Sequence, residues 1–487
     1  MQSTAAIRQA CIDRLARPPT VPGQPTPARR LLQQTAPRLL LWSLALMLSS
    51  TTLATAPTAS APGGILDAAA LPAATPPAPD RALLPALHPE YPRLMGMNIG
   101  EKNYDDPQYQ AQLARLDVVV LGFYRGWGAH DGGQAIRRVV QALKRRNPAL
   151  LVGQYTVLNE AANEPQNTAE NDKQEKLDAA GWWLRDASHR HVQWTTDYNA
   201  WDINITDWAR PDAGGRRYPQ WLAERDHQVF FAPVPEFDIW YVDNVMSHSR
   251  IAAADWAGEG NDEAGESRRV QQAFRLGQLR HWQAARRLAP RLLLIGNPDN
   301  DLSYPEYKGR LQGAFLETLM GARWSLYARA GWRGMMQRYL GIDTNLDAPA
   351  LVGFNVAGRR DDYRLLRFAL ASCLMGDGYF SFSDTRRGYS GVTWFDEYDQ
   401  KLGHPLEPPQ TRPWKDGIYR RRFSNGMALV NPGLLGRRVT IEAGYRHLRG
   451  KQVPFINDGK AVTVISLPAS DGVLLLKSSP ESTLSIK

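Results

Sequence analysis

Cysteine is almost absent from this chain: Cys11 and Cys373 are the only two in 487 residues. Cys11 precedes an export-like apolar run, so a processed chain keeps one thiol and forms no internal disulfide. Cys373 lies in the apolar run FALASCLMG with no histidine signalled as its partner, which reads as a core position rather than a nucleophile. Also missing are a G-x-S-x-G elbow, a Walker loop and a glycine-rich phosphate turn after an early strand. Their absence removes the serine-esterase, nucleotide-driven and dinucleotide-binding classes. His189 and His191 form an HxH, but it follows a helical segment far from the first strand, with no further ligand set around it. No metal and no cofactor are therefore expected. The apolar run at residues 39–48 is too short to span a membrane, and no cysteine follows it to carry a lipid.

Charge of one sign is in excess, at +9, but five of those charges fall in residues 1–56, where six arginines face only Asp13. The basic residues of the remainder are dispersed, so nucleic acid is not expected as a partner. The same N-terminal stretch has a basic region ending at Arg38, the apolar LLLWSLALML and then small residues. That is the layout of a secretory signal, and the protein is expected to be secreted or periplasmic, with no stable membrane anchor. Residues 57–91 are rich in Ala, Pro and Thr and read as a linker.

From residue 92 onward short apolar, β-branched runs alternate with helical patterns. The runs are LMGMNI (94–99), VVVLGF (118–123), LLVGQYT (150–156), IWYVD (239–243), LLLIGN (292–297), GAFLET (313–318), LVGFN (351–355) and YFSFS (379–383). Helices are expected at 133–146, 267–288 and 362–375. Eight strands over about 300 residues predict an α/β fold, a (β/α)8 TIM barrel over 92–414, with a doubly wound open sheet as the rival. The gap from residue 157 to 237 is an insertion at the active-site face. Its Trp182, Trp183, Trp194, Trp201, Trp208 and Trp221 suggest a sugar-stacking surface, with about half of them expected to be structural. Beyond residue 414 alternating runs and the turns Asn425–Gly426, Asp458–Gly459 and Asp471–Gly472 predict a small antiparallel, sandwich-like β-domain over 415–487.

Catalytic residues of a barrel project from the C-terminal ends of its strands. Strand four ends at Asp243 and strand six at Glu317, each directly after an apolar run. Two carboxylates on non-adjacent strands of one barrel mouth can flank a glycosidic bond, one protonating the leaving oxygen and one attacking or activating water. We assign Asp243 as nucleophile or base and Glu317 as acid. Substrate contacts are expected from Arg125, Tyr155, Asp202, Asn204, Trp240, Asn297, Asn355 and Asp384, with Asp202 and Asp384 as reserve acids. Asp396, Glu397 and Asp399 either line the cleft or fasten the barrel to the β-domain.

FDIWYVDNV, GAFLET, GYFSFSD, WFDEYDQKLGHPL and the run NGMALVNP…VPFINDG…LPASDGVLLL resemble hypothetical glycosyl hydrolase family 15, over most of residues 92–477. The acids ending strands four and six also resemble those of the endo-α-1,4-polygalactosaminidase barrels, where these positions are catalytic. That resemblance implies a retained role for Asp243 and Glu317, while the long insertion departs from a minimal barrel. The expected function is hydrolysis of a polysaccharide or oligosaccharide. The rival is a non-catalytic barrel that binds glycan or a partner in an exopolysaccharide system.

Overall fold

Eight parallel strands pair in sequence order: β1 (Met95–Asn98), β2 (Val118–Leu121), β3 (Leu151–Val157), β4 (Ile239–Val245), β5 (Leu293–Pro298), β6 (Gly313–Met320), β7 (Leu351–Gly358) and β8 (Tyr379–Asp384). A parallel bridge between Leu94 and Phe380 brings the last strand back to the first, so the sheet is a nearly closed (β/α)8 barrel. The computed structural model describes residues 84–478, apart from 130, 163–170, 198, 300 and 322–324. The export signal and most of the expected linker lie outside the described residues. The last part of that linker stretch is not a spacer: Leu84 and Leu87 pack on the apolar barrel interior, and the His88 N–H donates to the Tyr379 hydroxyl at 3.0 Å.

Side chains of a strand alternate between its faces. Met95 and Met97, Val118 and Val120, Ile239 and Tyr241, Leu293 and Ile295 therefore point inward and fill the barrel with one apolar cluster. The intervening residues face the helices α1 (Pro107–Leu113), α2 (Gln134–Arg146), α3 (Asn171–Ala180), α4 (Tyr218–Asp226), α5 (Arg268–Leu288), α6 (Gly331–Gly341) and α7 (Tyr363–Cys373). Three expected helices start within a residue of their predicted positions because their caps are legible. Ser267 accepts from the Val270 N–H, Asp362 from the Leu365 N–H, and Gly133 takes a left-handed φ of 87° ahead of α2.

The insertion between β3 and β4 carries α3, α4 and a small antiparallel pair, Glu160–Ala162 with Ala200–Asp202. Two of its tryptophans, Trp182 and Trp183, are buried in this insertion's core, and the other four are partly buried against it. Trp182 is fully buried and donates its indole N–H to the Arg210 carbonyl, while Trp183 donates to Asp178, both at 2.7 Å. Trp194, Trp201, Trp208 and Trp221 pack against the same cluster. Arg250 covers Trp194 and Arg269 covers Trp208, each with its guanidinium carbon 4.5 Å from the ring centre. With no compensating core of its own, an 80-residue loop would stay mobile; six indoles, each about 150–250 Å² of surface, supply one.

The C-terminal β9 (Tyr419–Phe423), β10 (Gly426–Asn431), β11 (Arg437–His447), β12 (Ala461–Leu467) and β13 (Asp471–Lys477) form one antiparallel sheet in the order β9-β10-β13-β11-β12. It is a single sheet, not the two stacked sheets of a sandwich. Gly472 allows β13 to approach α7 closely, since a Cβ there would lie 2.6 Å from the Arg367 carbonyl oxygen. Arg367 and Asp471 form a buried two-point ion pair at 3.1 and 2.8 Å across the same junction. Asp396 and Glu397 take the fastening role: Asp396 accepts from the Lys451 and Gln452 backbone at 2.6 and 2.7 Å, and Glu397 from Asn457 at 3.0 Å. Asp399 instead pairs with Arg115 of the barrel at 3.0 Å. Cys373 is buried, and desolvation pushes its thiol up to about 12, which leaves it inert.

Candidate active site

Continuing the inward alternation by one step changes the barrel's chemistry from apolar to polar. The next inward positions are Tyr155 on β3, Asp243 on β4, Asn297 on β5, Glu317 on β6 and Asn355 on β7. The Asn297 amide nitrogen reaches Asp243 Oδ1 at 3.0 Å and Glu317 Oε2 at 2.7 Å, so one side chain ties both carboxylates together. A planar amide spreads its two N–H bonds by about 120°, which sets those two oxygens roughly 5 Å apart. Each carboxylate also has a phenol: the Tyr155 hydroxyl donates to Asp243 Oδ2 and the Tyr389 hydroxyl to Glu317 Oε1. Beneath them lies Tyr241, stacked on Tyr155 with ring centres 5.7 Å apart. Burial first, then the charges of Asp243 and Glu317, push the Tyr241 phenol well above its ordinary range, so it stays a neutral floor.

Both carboxylates stand at breaks in the sheet. The β4–β5 register shifts between Val242 and Val245, and the β6–β7 register between Leu316 and Met320. The residue after each acid is left-handed, Asn244 at φ 55° and Thr318 at φ 48°. Such a conformation costs on the order of 1–3 kcal/mol for a non-glycine residue and needs support from its surroundings. Support is present at both. The Asn244 N–H turns back onto Asp243 Oδ1 at 2.8 Å, and the Thr318 N–H donates to Asn355 Oδ1 at 2.9 Å. Asn355 is fully buried and holds Ser381 and Ser383 with its amide, so it shapes the Glu317 bulge.

A second pair of acids lies directly behind Asp243. Asn244 donates its side-chain amide to Glu160 Oε1 at 3.0 Å, and the Trp194 indole donates to Glu160 Oε2 at 3.0 Å. Asp202, the cross-strand neighbour of Glu160, accepts from the Trp194 backbone N–H at 3.0 Å. Burial, and then the neighbouring Glu160, raise the Asp202 carboxyl to about 8, so it holds a proton at neutral pH. Asp202 therefore lies near the site but faces the insertion. Across the mouth, the Lys102 ammonium donates to the carbonyls of Ile99 (2.6 Å) and Gly122, in the space a side chain on Gly122 would fill. Burial alone lowers it to about 8.

The remaining expected contacts have protein partners of their own. Trp240 lies three positions before Asp243 on the same strand and so points outward: it is 1% exposed, stacks on Phe231 at 4.2 Å and donates to Thr156. Asn204 is buried in the insertion, donating to the Trp256 carbonyl at 2.8 Å and accepting from Thr206. Arg125 pairs with Asp172 at 3.6 Å, at the start of α3. Asp384 is buried and held by Arg360 at 2.7 Å; its own carbonyl and carboxylate cap the turn that delivers Tyr389. Neither Asn204, Arg125, Asp384 nor Trp240 is placed on the paired carboxylates. Sequence reasoning missed Tyr389, which sits in a loop five residues past β8, and Asn244, whose signal was its place directly after a strand-end acid. Among the described residues no group of three or more His, Cys, Asp or Glu side chains could hold a metal ion, and no helix is long and apolar enough to cross a membrane. His191 lies between Trp183 and Trp201, with ring centres at 5.3 and 5.5 Å.

Among solved structures the chain is similar to an Anoxybacillus α-amylase, with 11% identity, a TM-score of 0.44, and coverage of 80% of this chain and 98% of that one. It is also similar to the GH36 α-galactosidase AgaA from Geobacillus stearothermophilus (12% identity, TM-score 0.41, 80% of this chain and 56% of that one). A third is the glycoside hydrolase domain of PelA from Pseudomonas aeruginosa (16% identity, TM-score 0.37, 62% and 98%). No curated protein matches the sequence. The model of hypothetical glycosyl hydrolase family 15 matches residues 144–427, from the helix before β3 to the first hairpin of the β-domain. That stretch is more than half of the chain and contains both carboxylates, and the protein belongs to hypothetical glycosyl hydrolase family 15.

Proposed function

We propose that the protein is an exported glycosidase that cleaves a polysaccharide or oligosaccharide by paired-carboxylate catalysis, with retention of anomeric configuration. The observation that carries this reading is the Asn297 amide shared by Asp243 and Glu317. Retaining enzymes hold their carboxyls about 5–5.5 Å apart, whereas inverting enzymes leave about 6.5–9.5 Å for a water. The roughly 5 Å between the two oxygens that share one planar amide is the nearest approach of the carboxylates, and it favours the first class.

In this reading Glu317, the more exposed of the two, protonates the glycosidic oxygen. Asp243 attacks the anomeric carbon, and its C–O bond forms as the leaving C–O bond breaks. Glu317, now ionised, takes a proton from water, which then releases the sugar from Asp243. The backbone N–H of Asn244 and the Asn297 amide can only donate, so Asp243 Oδ1 is an acceptor, as an ionised nucleophile requires. Oδ2 is covered by the Tyr155 hydroxyl, and Asp243 is 0% exposed. The sugar must therefore displace that phenol, which can then donate to the ring oxygen or a neighbouring hydroxyl. Export rests on the N-terminal sequence pattern alone.

The complete burial of Asp243 is also what favours the second reading, a barrel that binds glycan without cleaving it. Reducing-end release from a panel of bacterial exopolysaccharides separates the two, using wild type, Asp243→Asn and Glu317→Gln. Turnover by wild type that is lost in both folded variants supports the glycosidase. Glycan binding without turnover in all three proteins supports the binder and refutes the proposed mechanism.

A further inference from the structure

The insertion between β3 and β4 meets the catalytic strand at Trp240, on which Phe231 stacks, and at Asn244, the residue gripping Asp243. Asn244 uses its backbone N–H on Asp243 Oδ1 and its side-chain amide on Glu160 Oε1, at 2.8 and 3.0 Å. The first contact exists only because Asn244 is left-handed, which turns its N–H back towards the preceding side chain. A left-handed backbone at a non-glycine residue reverts unless something holds it. Glu160 is that hold from the insertion side, and it is itself fixed: Trp194 donates to its other oxygen, and Asp202 holds the Trp194 backbone. From the opposite side Gln278 of α5 approaches the Asn244 carbonyl only at 3.4 Å, a weaker restraint.

We infer that Glu160 is a positioning residue for the reaction: through Asn244 it holds the Asp243 carboxylate on Asn297, opposite Glu317. The six-tryptophan insertion then serves as a buttress for the nucleophile strand. This inference rests on the proposed role of Asp243. A carboxylate is required at position 160 because two donors, Asn244 and Trp194, converge on it, and only a carboxylate accepts at both oxygens. The Asp202 side chain beside it stays protonated, which limits repulsion between the two acids. Arg250 lies over Trp194, the indole that donates to Glu160, and Gln278, the contact from α5, is neutral.

The test uses two variants in a Trp194→Phe background, so that no indole N–H faces a new amide. Glu160→Gln keeps an oxygen for Asn244, and Glu160→Ala removes it. The crystal structure and steady-state kinetics of each full-length variant are read together. The expected result is that Ala at 160 frees Asn244 from its left-handed conformation and moves the Asp243 carboxylate out of hydrogen-bond range of Asn297. Its kcat falls 10–100-fold with KM within twofold, whereas the Gln variant stays within threefold of its background. An unmoved Asp243 in the Ala variant, or equal kcat in the Ala and Gln variants, overturns the inference. Should Ala at 160 fail to fold, Glu160→Asp, one methylene shorter, withdraws the same oxygen and is read in the same way. Full activity of Asp243→Asn would overturn the catalytic reading instead, and the position of Asp243 in the Ala crystal then decides the structural claim alone.

Discussion

Replacing Asp202 by Asn should make the protein more stable, and increasingly so as pH rises. Asp202 is 8% exposed, and its carboxyl is raised from 3.8 to about 8 by burial and by Glu160, against smaller opposing effects of the Trp194 N–H and Arg250. A group whose folded pKa lies above its unfolded value gives the fold its full contribution below the unfolded value, and loses it as pH rises through the folded one. From pH 4 to pH 8 the unfolded chain has lost this proton while the folded chain keeps it, which costs about 1.4 kcal/mol per pH unit. The total across the window is about 5 kcal/mol. Asn carries no such proton, yet retains an oxygen for the Trp194 N–H. Guanidinium unfolding of wild type and Asp202→Asn at pH 5, 6 and 7 reads the difference. The stability gap should widen by about 3 kcal/mol in favour of Asn between pH 5 and pH 7. A gap constant across that range, or one that narrows, would refute the raised Asp202 carboxyl that burial and Glu160 produce.

His281 titrates in the opposite sense: fully buried on α5 beside Lys173, with neither ring nitrogen paired, it is lowered by burial from 6.5 to about 3. The fold therefore loses stability as pH falls from 6.5 towards 3, and His281→Phe should flatten that acid limb in the same unfolding assay, whereas an unchanged limb would place the acid sensitivity elsewhere. Removing one hydroxyl by Tyr389→Phe takes away the donor on Glu317 Oε1 and should lower kcat 10–100-fold without changing thermal stability, as measured by kinetics and melting. Unchanged kcat would show that the phenol is not needed to orient Glu317.

The barrel was legible because eight apolar β-branched runs recur at βα spacing, and their inward faces could be read by alternation. The same alternation should have removed Trp240: Tyr241 and Asp243 point into the barrel, so Trp240 and Val242 point out, and the tryptophan packs on Phe231. The paired acids were legible as strand-end carboxylates, and Asn297 and Tyr155 followed from the same rule. Asn355 was placed correctly on its strand, but its role is to hold the Thr318 bulge, and a bulge leaves no mark in composition. Tyr389 was illegible because the loop of residues 385–395 has no periodicity to say where its side chain turns. The tryptophans were only half legible. An indole serves a sugar platform and a small core equally well, and only the buried environments of Trp182 and Trp183 distinguish the two.

The central claim is that Asp243 and Glu317 act on one bond across the short span that Asn297 sets. Proton NMR of the product first formed from a cleaved glycan, recorded before mutarotation, tests it most directly. The account predicts that the new reducing end appears with the anomeric configuration of the bond that was cut, and that Asp243→Asn forms none of it. A product first appearing with the inverted configuration would contradict the account, because a water must then fit between two carboxylates held too close to admit it.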